Sequence, residues 1–357
     1  MAIEDMAGYA AMPGYRTVEI DNIRTDGPDM DDNYIQAVRE IENYNNCERV
    51  TSELYTEALT QGYAYELFWF SGNQVNFARV PSNEIEIVYD GSLKPKPVEA
   101  WRFYDRNGGS PTRAVRFTDT DMTEYVKTGA TWTAGESMAH PFGVVPIAEY
   151  CINSGKLPLF ESEKGIIDAQ DKLISSSVNE VDRFNAVMAL FPFEVDKEFV
   201  DKLRQMNVID DLAEFERWPE YLEKNLGNIE AFYANLADRL ERLFHKSIKV
   251  PDFSDENFVG NASGVALAYK LLGLEFKAAQ IDTYFDMGTH KRYELIGAGI
   301  NAGARTYPLD DYEIMTHNRR NLPVDELKQV QIAQALMGIV SKETILRILP
   351  NNIVQDV

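Results

Sequence analysis

Three stretches of this chain carry apolar residues at helical spacing, and a proline stands at the end of each of the first two. Between Glu161 and Leu190, Ile167, Ile174, Val181 and Met188 repeat at heptad spacing, with Gln170, Ser177, Phe184 and Phe191 on the neighbouring row. Residues at this period share one face of a helix. Pro192 stops it, because proline removes a helical amide donor. Ile229, Tyr233, Leu236, Leu240, Leu243 and Ser247 repeat the design, and Pro251 stops that helix. The intervening residues are of mixed character, including VIDDL and Trp218-Pro219. They predict a compact insert carried at the end of a helical pair and projecting from the body.

The third stretch runs from Val250 to Gln280. Its first half is a polar loop with Pro251, several acids, Asn257, Gly260, Asn261 and Gly264. Its second half places Leu267, Leu271, Leu274, Ala278, Ile281 and Phe285 on one stripe, predicting a helix to about Arg292 or Ile300. A polar loop on a rigid helix reads as an element that moves against a partner.

The rest of the chain mixes helix and strand, so the fold class is α+β. Residues 33–61 read as one helix with Tyr34, Val38, Ile41, Val50, Leu54 and Ala58 facing inward. Gly62 ends it by tolerating a left-handed backbone. From Tyr63 to about Lys127, YAYELFWF, QVNFARV, EIEIVYD, VEAWRFYD and RAVRFTD predict an antiparallel meander of β-branched and aromatic strands. A loop from His140 to Pro146 enters a short strand, PIAEYC, and DYEIMTHNRR is also strand-like. Leu322-Pro323 opens a helical tail, and Ser341 with Glu343 starts another helix.

Composition excludes several function classes. With 357 residues and 45% apolar content the chain can bury a substantial core. A net charge of −22 opposes tight nucleic-acid binding, which needs a basic face. It remains compatible with a surface past which DNA slides without sticking. Cys47 and Cys151 share no short spacing, which fits a reducing compartment and argues against a disulfide scaffold or zinc site. No stretch has the secretory pattern, and no run approaches the roughly 18 apolar residues of a membrane span. The chain reads as made and assembled in the cytosol.

The candidate chemical motifs have bland readings that fit better. Asp31-Asp32, Asp210-Asp211 and Asp310-Asp311 are adjacent pairs, whose side chains diverge, and adjacency is expected among 57 acids. His140, His245, His290 and His317 are dispersed without metal-ligand spacing. His245, beside Lys246 and Lys249, instead complements the dipole of a helix end. Gly260-Asn261-Ala262-Ser263-Gly264 lacks the Gly-Lys-Ser/Thr ending of a phosphate loop and reads as a hinge with Ser263 as helix cap. Neither a catalytic residue nor a metal or cofactor site is expected, and the chain is not read as an enzyme. Lys270, Lys277, Lys291 and Arg292 form a possible phosphate-facing strip, weighed against a merely solvated face.

The string PDFSDENFVGNASGVALAYKLLGLEFKAA resembles a signature of the portal (head-to-tail connector) proteins of long-tailed double-stranded DNA phages. AGYAAMPGYRTVEI, ALTQGYAYELFW, FGVVPIAEY, IIDAQDKLISSSVNEVDRF and GIVSKETILRILP resemble further family segments in the family's order. Family members usually carry a longer N-terminal helical region and an acidic C-terminal tail than this sequence shows. The resemblance implies a portal fold with a β-rich wing (1–160), a stem helix (161–190) and a small α/β clip (191–228). A second stem helix (229–248), a tunnel loop (249–264), a spine helix and strand of the wing (265–321) and a helical crown start (322–357) follow. It implies a tunnel loop bearing Asp255, Glu256, Asn257, Phe258, Gly260, Asn261, Ser263 and Gly264, and possible DNA-facing Lys246, Lys249, Lys270 and Lys277. It also implies a virion component: a homo-oligomeric ring, a dodecamer, at one capsid vertex, assembled in the host cytoplasm. Double-stranded DNA would be packaged and ejected through the ring. The implied partners are the terminase large subunit, a head-completion adaptor, and the major capsid and scaffolding proteins, with no membrane. A neck or tail ring component is the alternative, and an acidic hydrolase a more distant one.

Overall fold

The computed structural model describes residues 2–12, 16–22, 32–72, 74–105, 110–184, 189–190, 220–221, 226–253, 264–303, 306–318, 320, 331–332, 334–337 and 341. The chain divides into two compact units, one of Met1–Glu161 with Ile248–Val357 and one of Ser162–Ser247.

The first unit is built around β2 (Tyr63–Ser71), which is flanked by β3 (Gln74–Val80) and β9 (Ile147–Cys151) in an antiparallel sheet of order β3-β2-β9. Ala64 to Phe68 are all buried, because this central strand is covered on both faces. One cover is helical. α3 (Cys47–Gln61) and the long α6 (Gly264–Asn301) lie against the sheet. The other is a five-stranded meander of β4 (Ile85–Tyr89), β5 (Pro97–Tyr104), β6 (Arg113–Phe117), β7 (Asp121–Thr128) and β8 (Thr131–Ala139), paired in chain order. Tyr65, Leu67 and Ile147 from the first sheet meet Ile85, Ala100 and Phe117 from the meander in one apolar cluster. β1 (Arg16–Asn22) and β12 (Tyr312–Asn318) pair antiparallel, joining distant parts of the chain.

The structure departs from the sequence expectations at identifiable points. The single helix expected over 33–61 is two, α2 (Asp32–Tyr44) and α3. Asn46 breaks it with a left-handed backbone (φ 51°). Beside it, the Asn45 amide donates to the carbonyls of Ile41 (2.8 Å) and Val75 (3.1 Å) and accepts the Phe77 N–H (3.0 Å). Those bonds tie the break to β3 and replace helical ones. α3 ends at Gly62 as its sequence predicts, with φ 92° and its N–H on the Ala58 carbonyl. α1 (Ala2–Ala10) and β8 were not expected.

In the second unit the helices are α4 (Lys164–Phe184) and α5 (Leu226–Ile248), the latter reaching the first residue of the other unit. The first helix was expected to continue to Leu190. Instead Ala189–Leu190 is a short strand, β10, paired antiparallel with β11, Glu220–Tyr221. Edge pairing of extended residues there replaces another helical turn. At the opposite end, the Ser247 hydroxyl donates to buried Glu163 at 2.7 Å. The two ties fix α4 and α5 as an antiparallel pair. Ile174, which the heptad reading placed on an apolar seam, is 53% exposed. Val178, Phe232 and Leu243 are exposed as well.

Candidate functional site: a lysine-bearing face on an anchored helix

α6 has 38 residues and, at about 1.5 Å per residue, spans about 57 Å. Its apolar stripe is the one read from sequence: Leu271, Leu274, Ala278, Ile281 and Phe285 are all buried. Beyond it the helix approaches β9 very closely. A β-carbon at Gly288 would stand 2.7 Å from the Glu149 carbonyl oxygen and 2.4 Å from the Tyr150 ring. Only glycine permits that approach.

Charged groups then lock the helix in place. Arg292 is buried, and its Nε donates to Glu66 on β2 at 2.9 Å. Its Nη1 donates to the Thr51 hydroxyl (2.6 Å) and to Cys47 Sγ (3.1 Å) on α3. The guanidinium also lies over the rings of Phe77 and Tyr150. Burial alone would lower the Arg292 pKa, but Cys47, Glu66 and Tyr150 together hold it well above its ordinary value. The Tyr150 hydroxyl donates to the same Glu66 carboxylate at 2.7 Å, and burial pushes its phenol strongly upward. A second clamp lies nearer the middle of the helix. Arg16 on β1 pairs with Asp282 (3.0 Å) and with Asp286, and Arg320 pairs with Asp282. Tyr9 on α1 donates to Glu275 at 2.7 Å.

The exposed side of α6 carries the lysines. Lys270 is exposed and Lys277 half-buried, and Gly273 lies between them on the same helical face. Lys249 follows α5 in a left-handed conformation (φ 59°), ahead of buried Val250 and Pro251. A β-carbon at Gly273 would lie 3.8 Å from the Lys249 Cβ, so Lys249 joins the Lys270–Lys277 face. Three lysines therefore lie along one face in a chain whose net charge is −22. Lys246 is exposed in the last turn of α5, in the second unit.

The proposed extension of this strip is overturned. Arg292 faces the core, and Lys291 pairs with Glu294 at 2.9 Å. Asp255, Glu256, Asn257, Phe258, Gly260, Asn261 and Ser263 lie outside the described residues, and Gly264 is the first residue of α6. The helical tail expected from 322 onward also lies mostly outside them. Sequence reasoning missed the Glu66–Arg292 clamp because its partners are 226 residues apart. Among the described residues, no helix is long and apolar enough to cross a membrane.

The chain is similar to several known proteins. The portal protein of Clostridium phage phiCD119 is 23% identical over 336 residues, 85% of this chain and 71% of that protein. The portal protein of Bacillus phage SPP1 is 25% identical over 313 residues, 79% of this chain but 59% of its own length. Among solved structures, the neck of the native gene transfer agent particle computed with C12 symmetry aligns at TM-score 0.47. That alignment has 10% identity and covers 98% of this chain and 90% of that one. The virion of the native gene transfer agent particle aligns at TM-score 0.45 with 11% identity, covering 98% and 89%. The family model described as phage portal protein, SPP1 Gp6-like, matches residues 19–356. By a match of that extent, the chain belongs to the SPP1 Gp6-like phage portal proteins.

Proposed function

We propose that copies of this chain close into a ring at one capsid vertex, a dodecamer through which double-stranded DNA is packaged and ejected. The observation that carries this reading, beside the family, is the exposed apolar surface of the second unit. Ile174, Val178, Phe232 and Leu243 lie on two helices tied to each other at both ends, and still face water in a single copy. Exposed apolar groups of this size favour association, and head-to-tail contacts that close on themselves give rings. In this reading 1–160 and 265–321 form the wing, and 161–190 with 229–248 form the stem. Residues 191–228 form the clip that docks terminase and then the head-completion adaptor. Residues 249–264 form the tunnel loop, bearing Asp255, Glu256, Asn257, Phe258, Gly260, Asn261, Ser263 and Gly264, and 322–357 begin the crown. The division of the chain at Ser162 and Ser247 supports separating stem and clip from wing.

The chain performs no chemistry in this reading. Its acidic walls keep phosphates from sticking, because attraction to the duplex scales with the phosphates neutralised. Lys249, Lys270 and Lys277 then act as a few weak contacts that keep the duplex centred, and Lys246 of the second unit is a further DNA-facing cation in this reading. Replacing Lys270 and Lys277 together by glutamine is expected to lower the yield of DNA-filled particles at least severalfold while leaving rings intact. Packaging assays with parallel electron microscopy of the rings check this. Rings lost together with packaging would give these lysines a packing role instead.

A further inference from the structure

An antiparallel sheet with one face on the core normally turns polar residues outward. The five-stranded meander does so only in part: beside Glu86 and the Glu99–Arg116 pair, its outer face is aromatic. Ile85, Ala100 and Phe117 face the core cluster, while the opposite face gathers Trp101 and Phe103 of β5, Tyr125 of β7 and Trp132 of β8. Their rings touch one another: Trp101 meets Tyr125 at 5.1 Å and Phe103 at 5.9 Å, and Phe103 meets Trp132 at 6.1 Å between centroids. Ala114 on β6 sits opposite both Phe103 and Tyr125, and its small side chain leaves a hollow between them. The result is a cavity of about 360 Å³ with aromatic walls and one carboxylate, Glu86, at its edge. Glu86 is exposed and has no ion-pair partner among the described residues.

The same sheet carries a knob. The loop joining β4 to β5 is closed by Asp90, whose carboxylate accepts from the Lys96 N–H (2.8 Å) and the Ser92 hydroxyl (2.7 Å). Its backbone N–H donates to the Lys96 carbonyl at 2.9 Å. At the tip of this ordered loop Leu93 is 101% exposed, with Lys94 beside it. A leucine held fully in water by a hydrogen-bonded loop gains nothing within its own copy. Strand geometry keeps it from its own cavity: Trp101 lies four residues into β5 and points off the sheet face, whereas Leu93 extends past the strand ends.

We infer that Leu93 of one copy seats in the aromatic cavity of Trp101, Phe103, Tyr125 and Trp132 on the next copy, with Lys94 meeting Glu86. Knob and hole occupy different places on one surface, so the contact can repeat head-to-tail from copy to copy, as ring closure requires. Buried aromatic walls receiving an apolar anchor, with a charge pair at the rim, is the arrangement that concentrates binding energy at interfaces. This contact rests on the ring reading above and adds to it the residues through which neighbouring wings join.

The test uses the full chain and compares Leu93→Asp, Lys94→Glu, Glu86→Lys, the Lys94→Glu/Glu86→Lys pair, and Leu93→Cys combined with Glu86→Cys. Leu93→Asp should raise the concentration for half-assembly by roughly tenfold or more, from the apolar burial lost. Each single charge reversal should weaken assembly, and the paired reversal should restore it. Under oxidation the double-cysteine chain should give a ladder of cross-linked multimers that neither single-cysteine chain gives. Rings of Leu93→Asp forming at the wild-type concentration, with no ladder, would overturn the contact and leave the ring reading standing. A wild-type chain that forms no rings at any concentration would overturn both.

Discussion

Replacing Arg292 by methionine is expected to destabilise the chain by about 3–5 kcal/mol, the cost of removing one partner from a buried ion pair. The substitution keeps the bulk and removes the charge. Glu66, fully buried on β2, is then left, among the described residues, with the Tyr150 hydroxyl as its one remaining donor. Thr51 and Cys47 on α3 lose their contacts to the helix at the same time. At about 2 °C per kcal/mol for a unit of this size, the apparent Tm should fall by roughly 6–10 °C. Replacing Glu66 by leucine in the same chain should recover much of the loss, because a buried pair exchanged for apolar groups of similar volume is often neutral. A thermal melt checks both variants. A fall within experimental error for Arg292→Met would mean that the clamp does not hold the helix.

The second large effect is expected at Gly62, where α3 stops. An alanine there meets two separate obstacles. The backbone has φ 92°, and the new β-carbon would stand 2.3 Å from the Lys156 carbonyl oxygen and 2.6 Å from the Leu157 carbonyl carbon. Both neighbours are backbone, so relief requires the 153–157 loop to move. That loop is itself closed by Asn153, which accepts the Leu157 N–H (3.0 Å) and donates to the Leu157 carbonyl (2.7 Å). Gly62→Ala should therefore cost about 3 kcal/mol or more, combining backbone strain with overpacking. Gly72 provides the control: its φ is 62°, but a β-carbon there meets nothing within 4 Å. Gly72→Ala should cost about 1 kcal/mol, the conformational part alone. Equal losses at the two glycines, read from denaturant midpoints, would show that the contact with Lys156 contributes nothing.

What the sequence made legible was local. Helices declare themselves through spacing, and each described residue of the α6 stripe from Leu271 to Phe285 is buried as its period predicts. Gly62 was readable as an end for the same reason: a left-handed cap needs no information from elsewhere. The single helix over 33–61 failed because Asn45 takes its partners from Val75 and Phe77, some thirty positions on. β8 was missed because TWTAGESMA is exposed at nearly every position and its alternation of polar and apolar residues stops after Ala134. Its strand character comes from pairing with β7 alone. Arg292 read as a surface cation beside Lys291, since nothing within a turn of it names Glu66. The aromatic cavity was likewise seen only as strand propensity in WRFY, because its walls come from three strands.

The candidate site divides along the same line. Lys270 and Lys277 were readable as one face from their heptad spacing, whereas Lys249 joins them through its place beside Gly273, on a helix 24 positions further along the chain. The placing of Lys249 beside the Lys270–Lys277 face is thus a property of the fold.

The account stands most directly on one measurement, electron microscopy of the purified full chain with two-dimensional averaging. It predicts closed rings with a central hole wide enough for a DNA duplex, and averages that resolve a fixed rotational symmetry. A stable monomer, or particles without a central hole, at concentrations well above those of assembly would contradict it.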